Sequence, residues 1–345
     1  MTRTLTAREL NRAVLARQLL LERSGLPIPR ALERIGGLQA QYAPSMYIGL
    51  WTRLEGFARD DLTRALERRS VIQATLLRST IHLVSKRDYW PWAEAIRASR
   101  HEHWLRVAPD APRDAEMTAL AREVYEALDG ETMRRADIEA RIGKRATQAL
   151  NLWLNLVRAP PSGTWERRRA DLYAAAEDWL GPAPDDVDAD AGRELLVRRY
   201  LTAFGPATRK DVASWAGLKP TELEPAFAAV KLRRFASEDG EELIDMPRAP
   251  LPPPATPAPV RFLPTWDATL LVHARRAAIL PEEHRPRIFN TKTPQSVPTF
   301  LVDGAVAGTW RYDSGTVDLE PFARLDRATT RALRDEAARL AEFHA

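Results

Sequence analysis

Apolar residues in this chain recur at two different periods, and the alternation between them sets the expected architecture. Thr6-Ala7-Arg8-Glu9 has capping-box spacing, and Leu10, Val14, Leu15, Leu19 and Leu20 follow at helical intervals, which predicts a first helix. Pro29 opens a short second helix through Ile35 that stops at Gly36-Gly37. Met46 to Leu54 reads as helix, and Asp60-Asp61 introduces another that carries Leu62 and Leu66. The period then changes. Val71 to Val84 is rich in β-branched residues and predicts two short strands turning near Arg78-Ser79. Several helices followed by a hairpin is the layout of a winged helix, with the hairpin as the wing.

The same order returns twice. Ser85 to Asp88 caps a helix bearing Tyr89, Trp90, Trp92 and Trp104, and Asp110 to Pro112 breaks it. Helices are then expected over Arg113–Leu128, Met133–Ile142 and Thr147–Val157, followed by a loop or wing from Ala159 to Leu180. In the third cycle one helix ends near Gly205, a second is capped by Thr208 and Asp211, and a third starts near Thr221 after a turn at Gly217, which is a helix-turn-helix in sequence form. Two strands around Asp239-Gly240 complete it. Residues 248–259 are proline-rich and read as an extended connector. Beyond them, Arg261–Leu280, Thr299–Arg311 with its Asp303-Gly304 turn, and Thr316–Phe322 read as strands, and Leu325–Phe343 as an amphipathic helix. The expected fold class is mainly α with small β-hairpins (α+β): winged-helix units over 1–108, 109–190 and 191–247, a linker over 248–259, and a C-terminal antiparallel β element with a closing helix over 260–345.

One stretch departs from both periods. In Gly37-Leu38-Gln39-Ala40-Gln41 the helix has just ended, and Pro44 pushes the residue before it toward extended geometry, so Leu38 to Ala43 is expected to be extended. Side chains two apart on an extended chain point the same way, so Gln39 and Gln41 share one face while Leu38 and Ala40 take the other. Read from the residues alone, these glutamines are either solvated loop side chains or a pair of amides converging on one spot.

Composition narrows the chemistry. The chain has 345 residues, 45% of them apolar and 28% charged, which is globular material for two or three domains. Its 51 basic and 47 acidic residues leave a formal charge of +4, and the pI near 9.5 permits an anionic partner. With no cysteine there is no disulfide, thiolate nucleophile, iron-sulfur cluster or cysteine-type zinc site. The six histidines are not in HExxH spacing, so no metal is expected, and GxGxxG, GxxxxGK[ST] and GxSxG are absent. Neither a signal sequence nor a run of membrane-spanning length is present, and the expected location is cytoplasmic.

Four strings, taken together and in order, carry a family resemblance: Gly37 to Gln41 with the LWTRL that follows, Leu76 to Val84, Arg199 to Leu218, and Leu301 to Arg311. With these the chain resembles the winged-helix DNA glycosylases of the AlkZ and YcaQ type over nearly its whole length. The resemblance implies excision of N-alkylated purines from duplex DNA by a monomer without cofactor, with bulky natural-product adducts or interstrand crosslinks as substrates in the AlkZ branch. The family's catalytic motif, glutamine, an apolar residue, then glutamine or aspartate, falls on Gln39-Ala40-Gln41 in its double-glutamine form.

A neutral carboxamide has no useful pKa near neutrality and cannot be a conventional general base. N7-alkylated guanine lessens the demand, because the base is cationic and leaves as a neutral group. Two amides that hold one water then suffice, and with no amine nucleophile beside the motif no lyase step is expected. Candidate DNA contacts are Arg78 and His82 on the first wing, Arg167 and Arg168 near the second, Arg209 and Lys210 at the third helix-turn-helix, and Arg275 with Arg276 in the C-terminal hairpin. Each basic residue has a solvated-surface alternative, and His82 reads equally as a packed strand histidine. Trp266-Asp267 reads as a strand corner. The rival readings are a winged-helix transcription regulator and a catalytically silent binder of damaged DNA.

Overall fold

The computed structural model describes residues 2–108, 112–270, 274, 276–289 and 295–345. The first stretch runs through β1 (Thr4–Leu5), α1 (Ala7–Arg17), α2 (Ile28–Ile35), β2 (Leu38–Gln39), α3 (Ala43–Trp51) and α4 (Arg59–Glu67) to the hairpin β3 (Val71–Thr75) and β4 (Ile81–Ser85). A long helix, α5 (Lys86–Val107), leads to α6 (Asp114–Leu128), β5 (Met133–Arg134), α7 (Arg135–Ala149), β6 (Leu156–Arg158), β7 (Leu172–Ala175) and α8 (Ala176–Leu180). Next come α9 (Ala189–Phe204), α10 (Arg209–Ala216), α11 (Pro220–Ala229) and the hairpin β8 (Arg233–Ser237) and β9 (Glu242–Asp245). The chain closes with β10 (Arg261–Leu263), α12 (Arg285–Ile288), β11 (Thr299–Val302), β12 (Ala305–Asp313), β13 (Thr316–Pro321) and α13 (Arg327–His344). The result is a mixed α/β structure.

Local chemistry accounts for most of these boundaries. Thr6 and Glu9 form the reciprocal cap of α1, with Thr6 N donating to the Glu9 carboxylate at 2.9 Å and Glu9 N to Thr6 Oγ1 at 3.2 Å. Thr208 and Asp211 do the same for α10, which ends on Gly217 in the left-handed region. Helix α2 ends on Gly36 at φ 77°. Helix α3 starts at Ala43, three residues before the expected Met46, so the residue before Pro44 is helical and not extended as expected; Pro44 sits in the first turn, where its missing N–H costs nothing.

Two further expectations fail. Thr147–Val157 is not one helix: α7 stops at Ala149, and Leu156–Arg158 is a strand paired to β3 and β7. Leu150, Leu152, Leu154 and Leu156 recur every second residue, with Asn151 and Asn155 between them, a period that favours a strand over a helix. In the expected strand over Arg261–Leu280, the described residues are extended only through Leu263. Pro264 can donate no ladder bond, and Trp266 turns the chain at φ 65°.

The sheets tie the successive units together. Among the described residues one antiparallel sheet has the order β2-β4-β3-β6-β7-β5, so the first and second hairpins are one surface, joined at Gln73↔Arg158 and Ala74↔Val157. Strand β1 lies parallel to β8, with Thr4 opposite Ala236, which places the start of the chain on the third hairpin. The last sheet is β10-β11-β12-β13. Trp92, Tyr200, Phe204 and Trp215 pack together where α5, α9 and α10 meet, and Trp92 and Trp215 are edge-to-face at 5.2 Å. No helix among the described residues is long and apolar enough to cross a membrane.

The proline-rich connector lies along α1, held by arginines. Arg12 Nε donates to the Thr256 carbonyl at 2.7 Å, and Arg17 Nη2 to the Pro250 carbonyl at 2.8 Å. Arg17 is fully buried and forks onto Asp245 of β9 at 2.6 and 3.0 Å; Asp245 also receives Arg233. Removing one member of a buried pair strands the other's charge. Because Arg233 remains for Asp245, Arg17→Met is expected to cost about 3 kcal/mol, the lower end for such losses. Chemical denaturation of the purified variant measures it.

Candidate functional site

The two glutamines stand where β2 runs out. Strand β2 pairs antiparallel with β4, Leu38 opposite Leu83 and Gln39 opposite His82. The extended run continues one residue further, because Ala40 N donates to the Ile81 carbonyl at 2.7 Å and the Ala40 carbonyl accepts from buried Gln73 Nε2 at 3.3 Å. Gly37 permits the approach: at φ 70°, a Cβ there would lie 3.1 Å from the Leu83 carbonyl oxygen and 3.3 Å from Trp92. Leu38 and Ala40 are buried in the apolar cluster of α2, α3 and α4. Gln39 is 7% exposed, Gln41 is exposed, and Gln39 Nε2 donates to Gln41 Oε1. The carboxamides therefore meet, one rooted in the wall and one reaching solvent.

Around Gln39 the surroundings are basic and dry. Arg78 Nη2 donates to Gln39 Oε1 at 3.4 Å, and Arg78 Nη1 donates to the Trp215 carbonyl at the end of α10. Burial lowers the Arg78 pKa to about 10, so it remains a cation near neutrality. His82 lies behind the pair, 3% exposed and edge-on to Trp92 at 6.4 Å. Its Nδ1 faces the Thr80 carbonyl at 3.1 Å, and because a carbonyl only accepts, Nδ1 carries the hydrogen. Burial first, then the Arg78 charge, pushes its pKa down to about 3, so the ring is neutral.

The other candidate residues fall into distinct settings. Arg167 and Arg168 are exposed between β6 and β7, and Arg168 Nη1 donates to Tyr42 Oη at 3.2 Å, which brings the second hairpin beside the residue after Gln41. Arg209 pairs with Glu224 and lies 4.9 Å over Phe227, while Lys210 is exposed at the start of α10. Arg276 turns inward, 3.3 Å from Tyr200 Oη and 4.7 Å over Phe204. Arg275 lies outside the described residues. Arg78 and His82 are thus brought to the glutamines and turned away from solvent, whereas Arg167, Arg168 and Lys210 present charge outward. Asp267, beside Trp266, is buried against Arg53 of the α3 end at 3.0 Å; burial opposes its ionisation, but Arg53 and Thr269 outweigh it and hold the carboxyl below its usual range.

Sequence reasoning passed over two neighbours. Gln73 is polar inside a β-branched strand and its amide braces Ala40, a signal available from its inward register. Tyr42 is a large aromatic left 42% exposed. It opens a cleft of about 610 Å³ whose other walls include Ile48, Trp165, Trp310 and Tyr312. There the His344 ring stacks on Tyr312 at 4.1 Å, and burial lowers its pKa to about 4. Among the described residues no group of three or more histidine, aspartate or glutamate side chains is placed to hold a metal.

Comparison with known proteins assigns the fold and the family. The structure of Streptomyces sahachiroi DNA glycosylase AlkZ matches with a TM-score of 0.82 at 20% identity, covering 99% of this chain and 97% of that one, so the two chains share a fold. A Streptomyces sahachiroi protein named interstrand DNA cross-link repair glycosylase is 23% identical over 94% of this chain and 93% of its own length. The family model described as DNA glycosylase AlkZ-like matches residues 32–343, and the chain belongs to the AlkZ-like DNA glycosylase family.

The burial of His82 has a pH consequence. Its unfolded pKa is about 6.5 and its folded value about 3, so below pH 6.5 the unfolded chain binds the extra proton and stability falls as pH drops toward 3. His82→Gln is expected to reduce the loss of stability between pH 7 and pH 5 by about 2 kcal/mol. Urea titrations of both proteins at the two pH values measure the difference.

Proposed function

We propose that this protein is a monofunctional DNA glycosylase that hydrolyses the N-glycosidic bond of cationic N-alkylated purines in duplex DNA. Its substrates are N7-alkylguanine and N3-alkyladenine, including bulky natural-product adducts and interstrand crosslinks, and its product is an abasic site. The observation that carries this reading is the meeting of Gln39 and Gln41 at the end of β2, one amide buried and one exposed. The repeated helix-and-hairpin units are read as tandem winged helices that lay Arg167, Arg168 and Lys210 along the phosphates, while Arg209 is taken up by Glu224.

Each carboxamide oxygen has two acceptor sites, and one contact on each leaves one free. The glutamines hold a water through these and aim it at C1′. The water oxygen bonds to C1′ as the C1′–N9 bond breaks, the bond's electron pair neutralises the cationic purine, and the water proton passes to bulk solvent. No strong base is required, because the leaving group departs uncharged. Fixed amide dipoles stabilise the oxocarbenium-like sugar at no cost of reorganisation. The cleft that opens at Tyr42 favours bulky adducts: at about 610 Å³ it offers far more room than a methyl group fills.

Single-turnover release of N7-methylguanine is expected to fall on the order of 10²-fold in Gln39→Ala and in Gln41→Ala, the scale of removing one preorganised polar group. Undiminished rates would remove the pair from the mechanism. The wild-type rate is expected to change by less than about twofold between pH 6 and 8.5, since neither amide titrates there, and uracil should be left in place. Arg167→Ala with Arg168→Ala should lower the slope of log affinity against log salt by about 2. A tight, sequence-selective complex with no base released from any N7-guanine or N3-adenine adduct would favour a transcription regulator instead.

A further inference from the structure

The hydrogen bonds around Gln39 have a direction, and Arg78 sets it. A carboxamide can turn its oxygen or its nitrogen toward a neighbour with little change in shape, so an isolated glutamine pair has two polarities. A guanidinium can only donate. With Arg78 Nη2 3.4 Å away, the Gln39 atom on that side must be the oxygen, so Nε2 faces Gln41 and Gln41 must in turn offer Oε1. We propose that Arg78 is a positioning residue: through Gln39 it fixes which end of each catalytic amide meets the water, and it does not act as a contact to DNA. This rests on the function proposed for the glutamine pair.

Three observations support the assignment. The Arg78 backbone is left-handed at φ 53°, and Gly217, itself at φ 73°, packs so closely that a Cβ there would lie 3.0 Å from Arg78 Cγ. The other arm of the fork is committed to the Trp215 carbonyl. No carboxylate pairs with Arg78 among the described residues, so its donors go to an amide and a carbonyl, which need orientation, not charge neutralisation. A flipped Gln39 would place its NH2 against the guanidinium, two donors face to face, at the penalty of an unsatisfied buried group. His82, neutral behind the pair, does not compete for Gln39 as a second cation.

The test compares Arg78→Met and Arg78→Lys in the wild-type and Gln39→Ala backgrounds. Arg78→Met is expected to slow single-turnover excision of N7-methylguanine about tenfold, with DNA affinity and its salt slope unchanged, and Arg78→Lys, which keeps one donor, to recover part of the loss. In the Gln39→Ala background neither substitution should slow excision further, because the residue acts through the amide already removed. Additive losses, or a salt slope lowered by about 1 with weakened binding, would overturn the proposal and make Arg78 a phosphate contact. A second readout needs no activity: the Gln39 side-chain amide protons, followed by 15N NMR, should exchange slowly in the wild type and faster in Arg78→Met. If the wild type released no base, the glycosylase reading would fail while this readout still decided the positioning role; equal exchange in both proteins would reject it.

Discussion

The pairing of β2 with β4 is the constraint on which the site depends. It is only two residues long, yet it decides which of two buried faces each side chain takes: Leu38 into the apolar cluster, Gln39 on the face it shares with His82. A slip of one residue would exchange every side chain between the faces. The register is secured from both ends. Gly37 lets the strand lie against the Leu83 carbonyl and Trp92, and the Ala40 amide and carbonyl are both taken up by neighbouring strands. Because β4 also pairs with β3, and β3 with β6, the same register extends toward the hairpin that carries Arg167 and Arg168.

The local signals in the sequence mapped onto the fold where capping and turn chemistry act alone. Thr6 with Glu9, Thr208 with Asp211, and glycines at 36 and 217 mark helix ends that occur where their side chains and dihedral freedom require. The hairpin at Asp239-Gly240 is of the same kind. What escaped was decided by distant partners. Leu156–Arg158 is flanked by β3 and β7, and although leucines 150 to 156 alternate in a strand-like period, nothing local names those partners. The attachment of β1 to β8 was likewise invisible, since two residues carry no period.

The site was half legible. Gln39 and Gln41 do meet, as extended geometry from β2 suggested, but the proline signal misled: Ala43 before Pro44 is the first helical residue of α3, and Gln41 lies in a bend. Charge alone did not disclose direction. Arg78 read as a surface residue of a wing and His82 as either a DNA contact or a packed strand histidine; Arg78 curls inward because its own backbone is left-handed and the Trp215 carbonyl receives it, and His82 is packed in β4. Arg276 is drawn in toward Tyr200 and Phe204 in the same way.

The contact of β1 with β8 carries a last consequence, for the order in which the molecule can be completed. Thr4 must wait for Ala236, 232 positions further along the chain, before the opening strand has anything to pair with. Doubling a ring costs only about 0.6 kcal/mol in closure entropy, but contacts so remote in sequence form late. During synthesis the glutamines leave the ribosome early, long before Trp215 and Gly217 are available to seat Arg78 beside them. A truncated product that keeps the first hairpin would still contain both amides, yet would lack the groups that orient them.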